Sequence, residues 1–141
     1  MATQPPYSLV SREAVEDPQM QRVAAKRGIA IVASYTLAGG ILTGKYDQDP
    51  AAGRAAGMLQ DPRFVPAVAA GRELAALARE TGRDPAHLAM AFALLNPSVT
   101  AVLFGATRPE QVAVNTAALA VADALTPAER DRLRAIGRVV P

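Results

Sequence analysis

Ile29-Ala-Ile-Val-Ala33 is an unbroken run of five apolar residues, and it constrains the fold more than any other stretch. The absence of period-2 alternation implies a strand covered on both faces, as in a parallel sheet. Directly after it comes Ser34-Tyr-Thr-Leu-Ala-Gly-Gly40, then Lys45-Tyr46. Parallel α/β folds place their ligands at the carboxyl ends of strands, so function is expected here.

The rest of the chain supplies the partners such a strand needs. Gln4-Pro-Pro-Tyr-Ser-Leu-Val10 reads as an extended piece, fixed early by its prolines and favouring strand through Tyr7, Leu9 and Val10. Asp17-Pro18 predicts a capped helix with Met20, Val23 and Ala24 on one face and Gly28 as its stop. Residues 47–63 lack periodicity and read as a long loop. Asp61-Pro62 predicts a helix with Phe64, Val65, Val68, Leu74, Leu77 and Ala78 inward, ending at Gly82. Asp84-Pro85 predicts another, with Leu88, Ala89, Phe92 and Leu95 inward. Val99–Phe104 reads as a third buried strand. Thr107 and Glu110 have the spacing of a capping box that opens a helix to about Val121, and Thr126 with Glu129 repeats it before a last helix holding Leu133 and Ile136.

The resulting order, three strands and about five helices, predicts an α/β fold with a parallel sheet in one domain over residues 1–141. A right-handed crossover is expected within the first βαβ unit. Three parallel strands leave two unpaired edges on strands that read as buried, so the sequence looks like part of a larger sheet or barrel.

Composition narrows the function classes. Half of the 141 residues are apolar, a fifth are charged, and the net charge is +2 with both signs interspersed. That balance argues against nucleic acid, and 4% aromatics argue against base-stacking surfaces. With no cysteine, disulfides, thiolate catalysis and cysteine-based zinc sites are excluded together. No apolar run reaches membrane length and no leader pattern opens the sequence, so a cytoplasmic protein is expected. No metal cluster and no carboxylate pair suited to general acid–base work is found.

Two strand ends carry convergent groups. Around Thr36–Gly40 the small residues allow a phosphodiester to approach the backbone, and Lys45 adds charge. Gly105-Ala-Thr-Arg108 opens a helix, where free amides, the Thr107 hydroxyl and the Arg108 guanidinium suit a phosphate. Gln111 and Asn115 lie one and two turns on, within reach of a ribose or purine edge. Two such sites at neighbouring strand ends fit a dinucleotide. A helix cap, a solvated arginine and a plain glycine turn account for the same pattern.

Three stretches carry a resemblance. Tyr7-Ser-Leu, Ala33–Tyr46 and Phe104-Gly-Ala-Thr-Arg-Pro-Glu-Gln-Val-Ala-Val-Asn115 resemble the aldo-keto reductase family, nearest its bacterial and potassium-channel β-subunit-like members. The resemblance runs from Gln4 to about Ile136 and implies the sixth to eighth strands of a TIM-type (β/α)8 barrel with a terminal helix. It implies that Gln4 bonds a nicotinamide carboxamide, and that Thr36, Leu37, Ala38, Gly39 and Lys45 grip a pyrophosphate. By the same token Gly105, Thr107, Arg108, Gln111 and Asn115 hold an adenosine 2′-phosphate and adenine, which makes NADPH the expected cofactor.

The sequence departs from the family at three points. The family's usual nicotinamide-stacking aromatic falls at Ser34, whereas here Tyr35 follows one residue later and should face the other way unless the backbone bulges. Val114 stands where the family often has Glu. The family's catalytic Asp, Tyr, Lys and His belong to the first four strands, and Tyr7, Lys45, Tyr46 and His87 are not those residues. The expected function is thus the cofactor-binding part of an NADP-dependent oxidoreductase without catalytic residues of its own. The alternatives are half of a split enzyme joined to an N-terminal half-barrel chain or to itself, a non-catalytic NADPH-binding or interaction module, and a truncated, non-functional fragment.

Overall fold

The computed structural model describes residues 1–49, 51 and 55–138. Three strands, β1 (Ala2–Thr3), β2 (Ala30–Ala33) and β3 (Val99–Val102), form one parallel sheet in the order β1-β2-β3. Between β1 and β2 run α1 (Glu13–Glu16) and α2 (Pro18–Arg27). Between β2 and β3 lie α3 (Lys45–Gln48), α4 (Val65–Thr81) and α5 (Pro85–Leu94). After β3 come α6 (Pro109–Thr116), α7 (Ala118–Ala124) and α8 (Pro127–Ala135).

The helix starts follow local chemistry. The Asp17 carboxylate accepts from the Met20 amide at 2.7 Å and Asp84 accepts from Ala86 at 2.7 Å, each with proline at the first helical position. Thr126 and Glu129 form the expected reciprocal box. Gly28 and Gly82 end their helices in the left-handed conformation, at φ 59° and 64°.

The core is centred on α5. Leu88 through Ala93 are buried without interruption, so this helix is enclosed on every side, against α4, α7, α8 and β3. Ile31 and Ala33 of β2, Leu74 and Leu77 of α4, and Leu133 of α8 complete it. Gly71 lets α4 approach the segment after β2 closely, since a Cβ there would lie 3.0 Å from the Ile41 carbonyl oxygen.

Several expectations change. The first strand lies at Ala2–Thr3 rather than 4–10. Its extension is a single parallel bridge of Pro6 to Ser34, with the Tyr7 amide donating to the Ser34 carbonyl at 2.8 Å; Tyr7, Ser8 and Leu9 are buried, the Tyr7 ring centroid 5.2 Å from that of Phe92. In β2, Ala30 and Val32 alternate with buried Ile31 and Ala33, so one face is only half covered. β3 is an exposed edge: Thr100, Ala101 and Leu103 face solvent because nothing in the described chain pairs with its outer side.

Residues 47–63 are more ordered than a plain loop, with 3₁₀ turns at Ala56–Met58 and Pro62–Phe64; Pro50 and residues 52–54 lie outside the described residues. The Asp61 cap therefore opens a 3₁₀ turn, α4 begins at Val65, and Val65 points outward. Val23 is exposed as well. The helix expected to run to Val121 breaks at Ala117, giving eight α-helices among the described residues.

Candidate dinucleotide site

Because β1, β2 and β3 are parallel neighbours, the segments leaving their carboxyl ends emerge on the same side of the sheet. Gln4 follows β1 directly and is exposed. Ser34–Lys45 follows β2, and Leu103–Arg108 follows β3.

The segment after β2 is built from unusual backbone. Tyr35, Ala38, Gly39, Gly40 and Gly44 all have positive φ, from 48° at Ala38 to 93° at Gly40. Tyr35 and Ala38 hold this conformation without being glycine, a strain of about 1–3 kcal/mol each that the surrounding contacts must impose. The Ser34 hydroxyl donates to the Pro5 carbonyl at 3.0 Å and its backbone bridges Pro6, which fixes the start of the turn. Thr36 and Ala38 are buried and Leu37 is half-buried, while Tyr35 is 48% exposed. The backbone at Tyr35 is left-handed, so strand alternation ends at that residue. Its hydroxyl lies over Gly39, 3.3 Å from where a Cβ on that residue would sit.

Tyr46 locks the turn from behind. Its hydroxyl donates to the Gly39 carbonyl at 3.3 Å and accepts from the Ala55 amide at 2.8 Å. Lys45 folds back, its ammonium 4.9 Å from the Tyr46 ring centroid. A Cβ on Gly40 would lie 2.7 Å from the Lys45 Nζ. Gly40 is thus the glycine on which the lysine position depends, and Tyr46 the residue that holds the loop. The adjacent Gly-Gly and Lys-Tyr pairs signalled both residues without revealing these contacts.

The segment after β3 differs from expectation at its cap. Thr107 and Glu110 do not form the box. Instead the Gln111 side-chain oxygen accepts from the Thr107 amide at 2.7 Å, the Arg108 amide at 3.1 Å and the Thr107 hydroxyl at 3.2 Å. Three donors at a helix start therefore converge on one oxygen, a geometry that suits an anion as well. Gly105, Thr107 and Arg108 are exposed.

Asn115 lies one turn beyond Gln111 on α6 and is half-buried. It borders a largely apolar cavity of about 240 Å³ along the open edge of β3, with Thr100, Val102, Phe104 and Leu119. Val114 is exposed, and its carbonyl lies 2.7 Å from the His87 Nε2, so that histidine ties α5 to α6. The Tyr35–Lys45 and Gly105–Gln111 groups stand at neighbouring strand ends, each held by its own contacts.

A profile of the Aldo/keto reductase family matches residues 1–138. The chain belongs to this family. Among its relatives, the putative voltage-gated potassium channel subunit beta of Schizosaccharomyces pombe is 34% identical over 137 residues, covering 90% of this chain and 39% of that protein. Protein tas of Escherichia coli is 34% identical over 123 residues, covering 82% and 34%. The L-glyceraldehyde 3-phosphate reductase of the same organism is 32% identical over 124 residues, covering 82% and 36%. The aldo-keto reductase chain thus spans between 34% and 39% of the length of these relatives. An α/β chain with a three-stranded parallel sheet is what part of a (β/α)8 barrel would present.

Proposed function

We propose that the chain is the cofactor-binding portion of a cytoplasmic NADP(H)-dependent aldo-keto reductase. The observation that carries this reading is the convergence of the Thr107 and Arg108 amides and the Thr107 hydroxyl on the Gln111 oxygen. A phosphate oxygen has the same appetite for these donors and carries the charge that the Arg108 guanidinium and the helix start favour. In this reading Arg108 and Thr107 hold the 2′-phosphate, with Gly105 keeping the approach open and Gln111 swinging to the ribose. Asn115 stands at the adenine end. Lys45 and the Thr36–Gly39 backbone hold the pyrophosphate, and Gln4 and Tyr35 stand at the nicotinamide end. Bound there, the dinucleotide would supply the hydride for reduction of an aldehyde or ketone.

The acid that protonates the carbonyl oxygen would have to come from outside these residues. Tyr7 cannot serve. Its hydroxyl is buried, donates to the Glu16 carboxylate at 2.9 Å and accepts from Asn96 at 2.9 Å, and burial pushes its pKa up to about 12. The 141-residue chain is therefore expected to bind NADPH and not to turn over. Titration followed by nicotinamide fluorescence should saturate, with Arg108→Ala weakening binding about tenfold. NADPH oxidation with nitrobenzaldehyde should stay at the blank. Turnover well above it, or no saturable binding, overturns the proposal.

The open edge of β3 favours a companion reading, in which a half-barrel chain or a second copy pairs with it and the assembly is the working unit. The potassium-channel names of several relatives suggest an interaction role for such an assembly.

A further inference from the structure

A second cavity, polar where the first is largely apolar, lies outside these segments. It measures about 470 Å³, is open to solvent, and is bordered by the turn between Tyr7 and Glu16, the carboxyl end of α5, the residues entering β3, and the end of α8. Neither Gln4, nor Tyr35–Lys45, nor Gly105–Asn115 contributes to its wall.

Its charge is one-sided. Arg12, Arg134 and Arg138 face it against a single carboxylate, Glu16, which already accepts the Tyr7 hydroxyl. Three guanidiniums less one carboxylate leave two positive charges. Arg12 is fixed, its three nitrogens donating to the carbonyls of Leu9, Arg134 and Ile136 and its plane lying 4.5 Å from the Phe92 centroid. It contributes charge with its donors engaged. Burial, and the like charge of Arg138, both press against its protonated form. The guanidiniums of Arg134 and Arg138 make no hydrogen bond or ion pair with any described residue. Ser98 and the Asn96 amide also line it, the latter with one N–H directed to Tyr7 and a second remaining.

Like charges brought around a polar hollow repel one another, and an anion between them removes that cost while giving two forked donors a matched acceptor. The hollow is larger than an inorganic oxyanion needs. We propose that this cavity binds the phosphoryl group of a small phosphomonoester between Arg134 and Arg138, with Ser98 and Asn96 completing the shell. The site is independent of the cofactor reading.

The test uses the 141-residue chain with inorganic phosphate and glycerol 3-phosphate as probes, at ionic strength held constant with chloride. Phosphorus NMR line broadening and calorimetry should show saturable binding of the monoester, at least as tight as phosphate. The Arg134→Ala/Arg138→Ala variant should weaken it tenfold or more, in line with loss of charge-assisted bonds. Both side chains are exposed, so the variant should keep its melting temperature. Arg108→Ala should leave monoester binding unchanged. Absence of binding, equal binding by the double variant, or loss in Arg108→Ala instead overturns the proposal.

Discussion

At the scale of single residues, two glycines that look alike in the sequence carry opposite demands. Gly40 has φ 93°, and a Cβ on it would meet Lys45 at 2.7 Å; Gly105 has no neighbour within 4 Å of such a Cβ and no positive φ. Gly40→Ala is expected to destabilise the chain by about 1–3 kcal/mol and to displace the lysine. Gly105→Ala should stay within about 0.5 kcal/mol of the parent. Denaturant melts of both variants check this, and equal effects would contradict it. The same residue scale explains why the Gln111 cap was hidden. Thr107–Glu110 and Arg108–Gln111 offer the three-residue spacing one position apart, and only the backbone angles of the turn choose between them. The left-handed Tyr35 was foreseeable only as a condition, since sequence states where an aromatic falls and not how the chain bends beneath it.

At the scale of elements, the helix starts were legible because their signals are local: an Asp or Thr oxygen, a proline, and an amide two or three residues on. Burial of β3 was not, because an apolar run records what a strand needs rather than what the chain provides. Between elements, Tyr7 ties the turn before α1 to the carboxyl end of α5 through Glu16 and Asn96. Its hydroxyl keeps its proton more tightly when folded, with a pKa raised from 10.0 to about 12 by burial. The stability this gives is complete below pH 10.0 and is lost as pH rises towards about 12. Tyr7→Phe should cost about 1–3 kcal/mol at neutral pH by orphaning two partners. It should also flatten that alkaline decline. A parallel decline in parent and variant would assign it to other groups.

At the scale of the molecule, a parallel sheet that stops at an exposed β3 should seek another chain. The 141-residue chain is expected to self-associate with rising concentration, and Ala101→Lys to reduce this. Light scattering after size exclusion measures it, and a parent that stays monomeric throughout would refute it. A different consequence follows from the Arg12 fork, whose acceptors at Arg134 and Ile136 lie 122 and 124 residues further along the chain. Such a clasp cannot form until nearly all of these residues have left the ribosome, and it closes a loop of 122 to 124 residues. We expect it to form late in folding. Loosening it should quicken unfolding while leaving the folding rate almost untouched, which makes Arg12 a determinant of how long the native state lasts rather than of how fast it is reached.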